Sequence, residues 1–146
     1  MRTNMLGAAT TCLMLAAFAS VAQPASAETM SFKADLKSSS EVPANSSKGT
    51  GTADVTYDTA SKALAWTVTF ANLTGNATAA HFHGPAEVGK NAGPVVPLTG
   101  TTSPLKGTAT LTEAQAADLM SGKWYVNVHT TAHKDGEVRG QVVKSK

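Results

Sequence analysis

ALAWTVTF, residues 63–70, alternates small or polar side chains with large apolar ones along its whole length. Side chains of a strand point to opposite faces in turn, so the four large apolar residues share one face. They are Leu64, Trp66, Val68 and Phe70. The pattern predicts a half-buried antiparallel strand.

The same alternation recurs on both sides of this stretch. The further predicted strands are Phe32–Leu36, Ala53–Tyr57, Ala77–His83, Val95–Leu98, Lys106–Leu111, Trp124–Val128 and Val138–Val142. Turn-forming residues separate them, as in Lys134-Asp135-Gly136. Short strands at intervals of roughly ten residues predict an all-β, antiparallel sandwich or barrel.

One segment interrupts the alternation. Thr112-Glu113-Ala114-Gln115 has the pattern of a capping box, in which Thr112 caps the helix and Gln115 reaches back to it. Gly122 follows at a position suited to ending a helix. The sequence therefore predicts one short helix.

Charge and composition exclude one large class of partner. Charged residues make up 15% of the chain and the formal net charge is +2, against about 25% charged residues in a typical soluble domain. Lysines and arginines form no cluster along the sequence. Because phosphate backbones are bound by several neighbouring cations, no nucleic-acid partner is expected.

The first 27 residues have the pattern of a signal peptide. Arg2 precedes a long apolar stretch, Pro24 ends it, and Ala25-Ser26-Ala27 supplies a small-x-small cleavage site. We therefore expect residues 1–27 to be removed, no membrane span to remain, and residues 28–146 to form one domain that is secreted or periplasmic. Cys12 would leave with the leader, which excludes thiol chemistry in the mature domain.

The four histidines fall in two short clusters. His81 and His83 are two residues apart, so on a strand both point to one face. His129 and His133 come directly after another predicted strand. Imidazoles without cysteine favour copper or zinc, and all four residues are candidate ligands. The alternative is a structural corner in which the rings donate hydrogen bonds to backbone carbonyls.

No sequence motif of a known catalytic class is present: the chain has no G-x-S-x-G, P-loop or H-E-x-x-H pattern. An enzyme is therefore not the favoured interpretation. Arg139 lies on a predicted strand close to the histidine clusters. An ion pair with Glu137, Asp135 or Glu41 would fix the geometry of the loops there.

Several stretches resemble the CHRD domain, a module first named from repeats in chordin. The matching stretches are Glu41-Val42-Pro43, Gly49–Thr52, Ala80–Ala86, Gly122–Thr130 and Asp135–Gln141. They include H-x-H-G-P-A, Y-V-N-V-H-T and D-G-E-x-R-G-Q, and together they span about Phe32–Val143. The resemblance implies an immunoglobulin-like, Greek-key β-sandwich and places His81, His83 and His129 at motif positions.

The resemblance implies no established activity, so three hypotheses from different classes stay open. The first is an exported binding module with an unidentified protein or envelope partner and a copper or zinc site on its histidines. The second is a copper-only redox enzyme, because the H-x-H strand is similar to that of copper/zinc superoxide dismutases. The third is a structural or adhesive envelope protein.

Overall fold

A computed structural model describes residues 26–146, so the predicted signal peptide, residues 1–27, lies almost wholly outside the described residues. Within that range the chain forms nine strands and one α-helix, α1 (Glu113–Met120). The strands are β1 (Thr29–Lys37), β2 (Thr50–Asp58), β3 (Ala63–Ala71), β4 (Ala77–His83), β5 (Pro94–Pro97), β6 (Leu105–Thr110), β7 (Tyr125–Thr130), β8 (Val138–Gln141) and β9 (Val143–Lys144). All eight predicted strands are present, and the all-β class is confirmed.

The strands form one continuous antiparallel sheet that is nearly closed into a barrel. Its order is β5-β4-β7-β8-β1-β2-β3-β6, and β9 also pairs with β1. A sandwich has two separate sheets, whereas here β1 pairs with β2 on one side and with β8 and β9 on the other. The immunoglobulin-like, Greek-key sandwich is therefore not confirmed.

The interior of the barrel is apolar, as the alternation predicts. Leu64, Trp66 and Val68 of β3 are buried, and Phe70 is partly buried at the end of the strand. The edge of the Trp66 ring contacts the ring of Phe82, with centroids 5.6 Å apart. This contact packs β3 against β4 across the interior.

Helix α1 follows the predicted capping box. The Thr112 hydroxyl accepts from the backbone N–H of Gln115, and the Gln115 side chain accepts from the backbone N–H of Thr112. Leu119 is buried, and Gly122 has a φ of 71° just after the helix. The predicted start signal, the capping box, and the predicted end signal, Gly122, are both confirmed.

The outer face of β4, β7 and β8 is polar but covered. Tyr125, Asn127 and Arg139 point outward from the barrel, yet each is at most 5% exposed. The loop of residues 84–93 covers them, since Arg139 donates to the carbonyl of Lys90. The segment of residues 41–43 also covers this face, since Glu41 pairs with Arg139 and Val42 and Pro43 line the cleft beside Tyr125. These two segments therefore bury the polar side chains of the outer face.

Candidate metal centre

Three histidines meet on this outer face. His81 and His83 come from β4 and His129 comes from β7, which pairs directly with β4. In the register of the two strands, His129 lies opposite Ala79, two residues before His81. Each ring offers a nitrogen, and the three nitrogens lie within 4.8 Å of one another. The expected convergence of these rings is present.

The nitrogen spacing is compatible with a shared ion. Nδ1 of His81 lies 3.2 Å from Nε2 of His129. Two ligands of a tetrahedral zinc ion, each about 2.0 Å from the metal, are about 3.3 Å apart. The same separation also fits a hydrogen bond between the two rings.

Backbone carbonyls orient two of the rings. The Nδ1–H of His83 donates to the carbonyl of Ala92 at 3.0 Å, and the Nδ1–H of His129 donates to the carbonyl of Lys134 at 2.8 Å. A carbonyl only accepts, so in the neutral rings Nε2 keeps its lone pair. Histidines that ligate metals have this arrangement, in which the second nitrogen is held by an acceptor.

Burial favours the neutral form of His81 and His83. His83 is 8% exposed, whereas His81 and His129 are half-buried. Burial lowers the pKa of His83, although the Ala92 carbonyl and the Asn127 side chain oppose this shift. Burial and then the neighbouring histidines lower the pKa of His81. A neutral ring has the lone pair that a metal requires.

The fourth predicted ligand, His133, is not part of this group. It is in the turn after β7, where its backbone N–H donates to the carbonyl of Thr130. Among the described residues, the group that brings three ligand nitrogens together contains His81, His83 and His129 and does not include His133.

Tyr125 and Arg139 support the buried histidine. The Tyr125 ring stacks on the ring of His83, with centroids 4.8 Å apart and planes 4° from parallel. The Tyr125 hydroxyl donates to the same Ala92 carbonyl that orients His83. The Arg139 guanidinium lies 3.9 Å from the centroid of the Tyr125 ring. Stacking on Tyr125, which itself contacts Arg139, therefore fixes the His83 ring.

The sequence left three acidic residues as possible ion-pair partners of Arg139. In the structure the partner is Glu41. Nε of Arg139 lies 3.1 Å from Oε2 of Glu41, and both side chains are almost fully buried. Burial raises the pKa of Glu41, and the charge of Arg139 opposes that shift. The ion pair joins β8 to the segment that covers the site.

Glu137 lies apart from this pair. Its carboxylate accepts from the hydroxyls of Ser47, Thr74 and Thr130 and from the backbone N–H of Thr74. Burial raises the pKa of Glu137, but these hydrogen bonds outweigh it and leave the pKa below its ordinary value. The carboxylate thus stays charged and links three segments of the chain.

Sequence reasoning did not identify Tyr125 and Asn127 as parts of the site. Both precede His129 at two-residue spacing on β7, so they share its face. That spacing is the signal that would have found them. A cleft of about 320 Å³ adjoins His83 and is lined in part by these two residues.

The fold and this centre define a class, a small all-β domain with three converging imidazoles on the outer face of its sheet. The family profile of the CHRD domain matches residues 32–142, so the chain belongs to the CHRD-domain family. Searches of curated proteins and of solved structures return no significant match. Within residues 26–146 no helix is both long and apolar enough to cross a bilayer.

Proposed function

We propose that this protein is an exported binding module that holds one Cu²⁺ or Zn²⁺ ion on His81, His83 and His129. The observation that carries the proposal is the pair of Nδ1–H bonds to backbone carbonyls, at 3.0 Å for His83 and 2.8 Å for His129. They leave two Nε2 lone pairs beside the His81 ring. That is how proteins orient imidazole ligands.

The ligand set decides which ions are candidates. Residues 28–146 contain no cysteine, and all three ligands are imidazole nitrogens. Imidazole suits both copper and zinc, and the general affinity order places Cu²⁺ ahead of Zn²⁺. Three protein ligands leave a tetrahedral ion with one further position to be filled.

Metal analysis and thermal unfolding test the proposal. Protein loaded with Zn²⁺ or Cu²⁺ should retain one ion per chain and melt at a higher temperature than the apoprotein, because the ion binds the folded site. His81→Ala combined with His83→Ala should abolish both effects. His133→Ala is the matched control, since His133 is outside the three-histidine group, and it should retain both effects.

A structural histidine corner is the second candidate, and one observation favours it. The 3.2 Å separation of His81 Nδ1 and His129 Nε2 is also the length of a hydrogen bond. In that case wild-type protein takes up no metal. The double histidine variant would then lose stability in the absence of any added ion.

Export is the other part of the proposal. The sequence motif at Ala25-Ser26-Ala27 supports cleavage before Glu28. Strand β1 begins at Thr29, so cleavage there would leave the whole sheet intact. Intact-mass measurement of exported protein should give the mass of residues 28–146. A mass that still includes residues 1–27 would contradict cleavage and favour a membrane anchor.

A further inference from the structure

Asn127 occupies the centre of the polar face. It lies directly opposite His81 in the pairing of β4 with β7, and two residues before His129 on the same face of β7. Its side chain is within hydrogen-bonding reach of His83, and the residue is 1% exposed. An amide is thus buried among the three imidazoles.

The surroundings determine which way the amide points. Nδ2 of Asn127 donates to the carbonyl of Asp135 at 3.4 Å. Gly136 lies against both Nδ2 of Asn127 and Oε1 of Glu41, since a Cβ at position 136 would clash with both atoms. The amide nitrogen is therefore near that carboxylate. The reverse orientation would place Oδ1 against two acceptors. Oδ1 therefore faces away from Glu41, towards the histidines.

This orientation leaves two acceptors together. Nδ1 of His83 is committed to the Ala92 carbonyl, so Nε2 of the neutral ring can only accept. Nε2 of His83 and Oδ1 of Asn127 are both buried, and neither has a hydrogen-bond partner. Leaving two such atoms unpaired is costly, and native folds rarely do so. A cation shared by the two lone pairs removes the cost.

We infer that Oδ1 of Asn127 is the fourth ligand of the ion held by the three histidines. The inference rests on the proposed function and gives the centre three nitrogen ligands and one oxygen ligand. The Asp135 carbonyl accepts from Nδ2 and the Glu41 carboxylate lies nearby, so Oδ1 is oriented towards the ion. A hydrogen-bond acceptor orients a ligating histidine in the same way. Since all four ligands are neutral and lack sulfur, the centre should prefer the divalent ions Zn²⁺ and Cu²⁺ to Cu⁺.

Zn²⁺ affinity in full-length exported protein tests this ligand, measured by competition with a chromophoric chelator. Asn127→Leu keeps the size of the side chain but removes the oxygen, and it should weaken Zn²⁺ binding at least about tenfold. Asn127→Asp keeps an oxygen at this position and adds a negative charge, so it should bind Zn²⁺ more tightly than wild type. Asn76→Leu makes the same change at an exposed amide outside this cleft, and should leave the affinity unchanged.

The outcomes separate this inference from the proposed function. Equal Zn²⁺ affinity in wild type, Asn127→Leu and Asn127→Asp, together with loss of binding in His81→Ala, would overturn the fourth ligand and leave the three-histidine centre standing. If wild-type protein binds neither Zn²⁺ nor Cu²⁺, both fail, and a protonated His83 that donates to Ala92 and Asn127 explains the cluster. If Asn127→Leu does not fold, tighter binding by Asn127→Asp supports the ligand and unchanged binding overturns it.

Discussion

Glu137 and Glu41 are both almost fully buried, at 0% and 4% exposed, but the groups around them differ. Glu137 accepts four hydrogen bonds, which come from two threonines and a serine. Glu41 lies beside one charged partner, Arg139, and its Oε1 has no hydrogen-bond partner. The pKa of Glu137 is accordingly lowered and that of Glu41 is raised.

The difference indicates which polar group is structural and which belongs to a binding site. A buried carboxylate with four donors needs no further component, and its network stabilises one arrangement of the loops. The hydrogen bonding in the network that contains Glu41 is incomplete. Nε2 of His83 and Oδ1 of Asn127 are, like Oε1 of Glu41, without hydrogen-bond partners. Unpaired buried groups that collect in one place are expected where a ligand binds.

The largest expected effect is at the complete network. Glu137→Gln removes the charge and replaces one accepting oxygen with an NH2 group that only donates. Two of the four charge-assisted hydrogen bonds then become neutral ones of about half the strength, and the other two lose their acceptor. We expect a loss of about 3 kcal/mol in the free energy of unfolding, measured by urea denaturation. Glu87→Gln, at an exposed ion pair with Lys123, is the control and should change stability by less than about 0.5 kcal/mol.

The same carboxylate should make stability depend on pH. The pKa of Glu137 is below its ordinary value of 4.5 in the folded chain, so the unfolded chain binds the proton more readily. Its contribution to stability is therefore fully present above about pH 4.5 and is lost as the pH falls through the lower folded pKa. Urea unfolding between about pH 6 and pH 3 should show a steeper loss for wild type than for Glu137→Gln. Parallel curves would show that Glu137 is not the titrating group.

A smaller effect is expected at the incomplete network. Glu41→Gln removes the charged partner of Arg139, and breaking a buried ion pair commonly costs about 3–5 kcal/mol. The guanidinium keeps its bonds to Lys90 and Asn91 and its contact with Tyr125. We therefore expect a loss of about 2 kcal/mol in urea denaturation, less than for Glu137→Gln. A larger loss than at Glu137 would reverse the comparison.

Local patterns in the sequence predict most of the fold. Alternation of apolar and polar residues identifies each strand from its own stretch of sequence. The predicted strand Ala77–His83, for example, has the same bounds as β4. The capping box at Thr112 likewise involves residues three apart. Alternation left a sandwich and a barrel open, because the continuity of the sheet depends on β1 pairing with β8, a contact between distant residues such as Lys37 and Arg139.

The candidate site, like the fold, is predictable from the sequence only where local spacing determines the geometry. The shared face of His81 and His83 follows from two-residue spacing, and the approach of His129 follows from the pairing of β7 with β4. The partner of Arg139 was open among three acidic residues, since spacing does not decide which loop covers a strand. The hydroxyls around Glu137 come from three separate segments, so no local pattern marks them.

The smallest expected effects are those of one substitution, threonine to valine, made at two positions around Glu137. Thr130→Val and Thr74→Val each remove a hydroxyl that donates to the same atom, Oε2 of Glu137, at 2.6 Å and 2.8 Å. Thr130 is fully buried whereas Thr74 is exposed, so water replaces the donor only at position 74. We expect losses of about 1.5 kcal/mol for Thr130→Val and about 0.5 kcal/mol for Thr74→Val in urea denaturation. Because Glu137 keeps three donors in either variant, both losses should stay below that of Glu137→Gln. Equal losses at the two threonines would mean that burial does not set the strength of this network, and the contrast between Glu137 and Glu41 would then lose its physical basis.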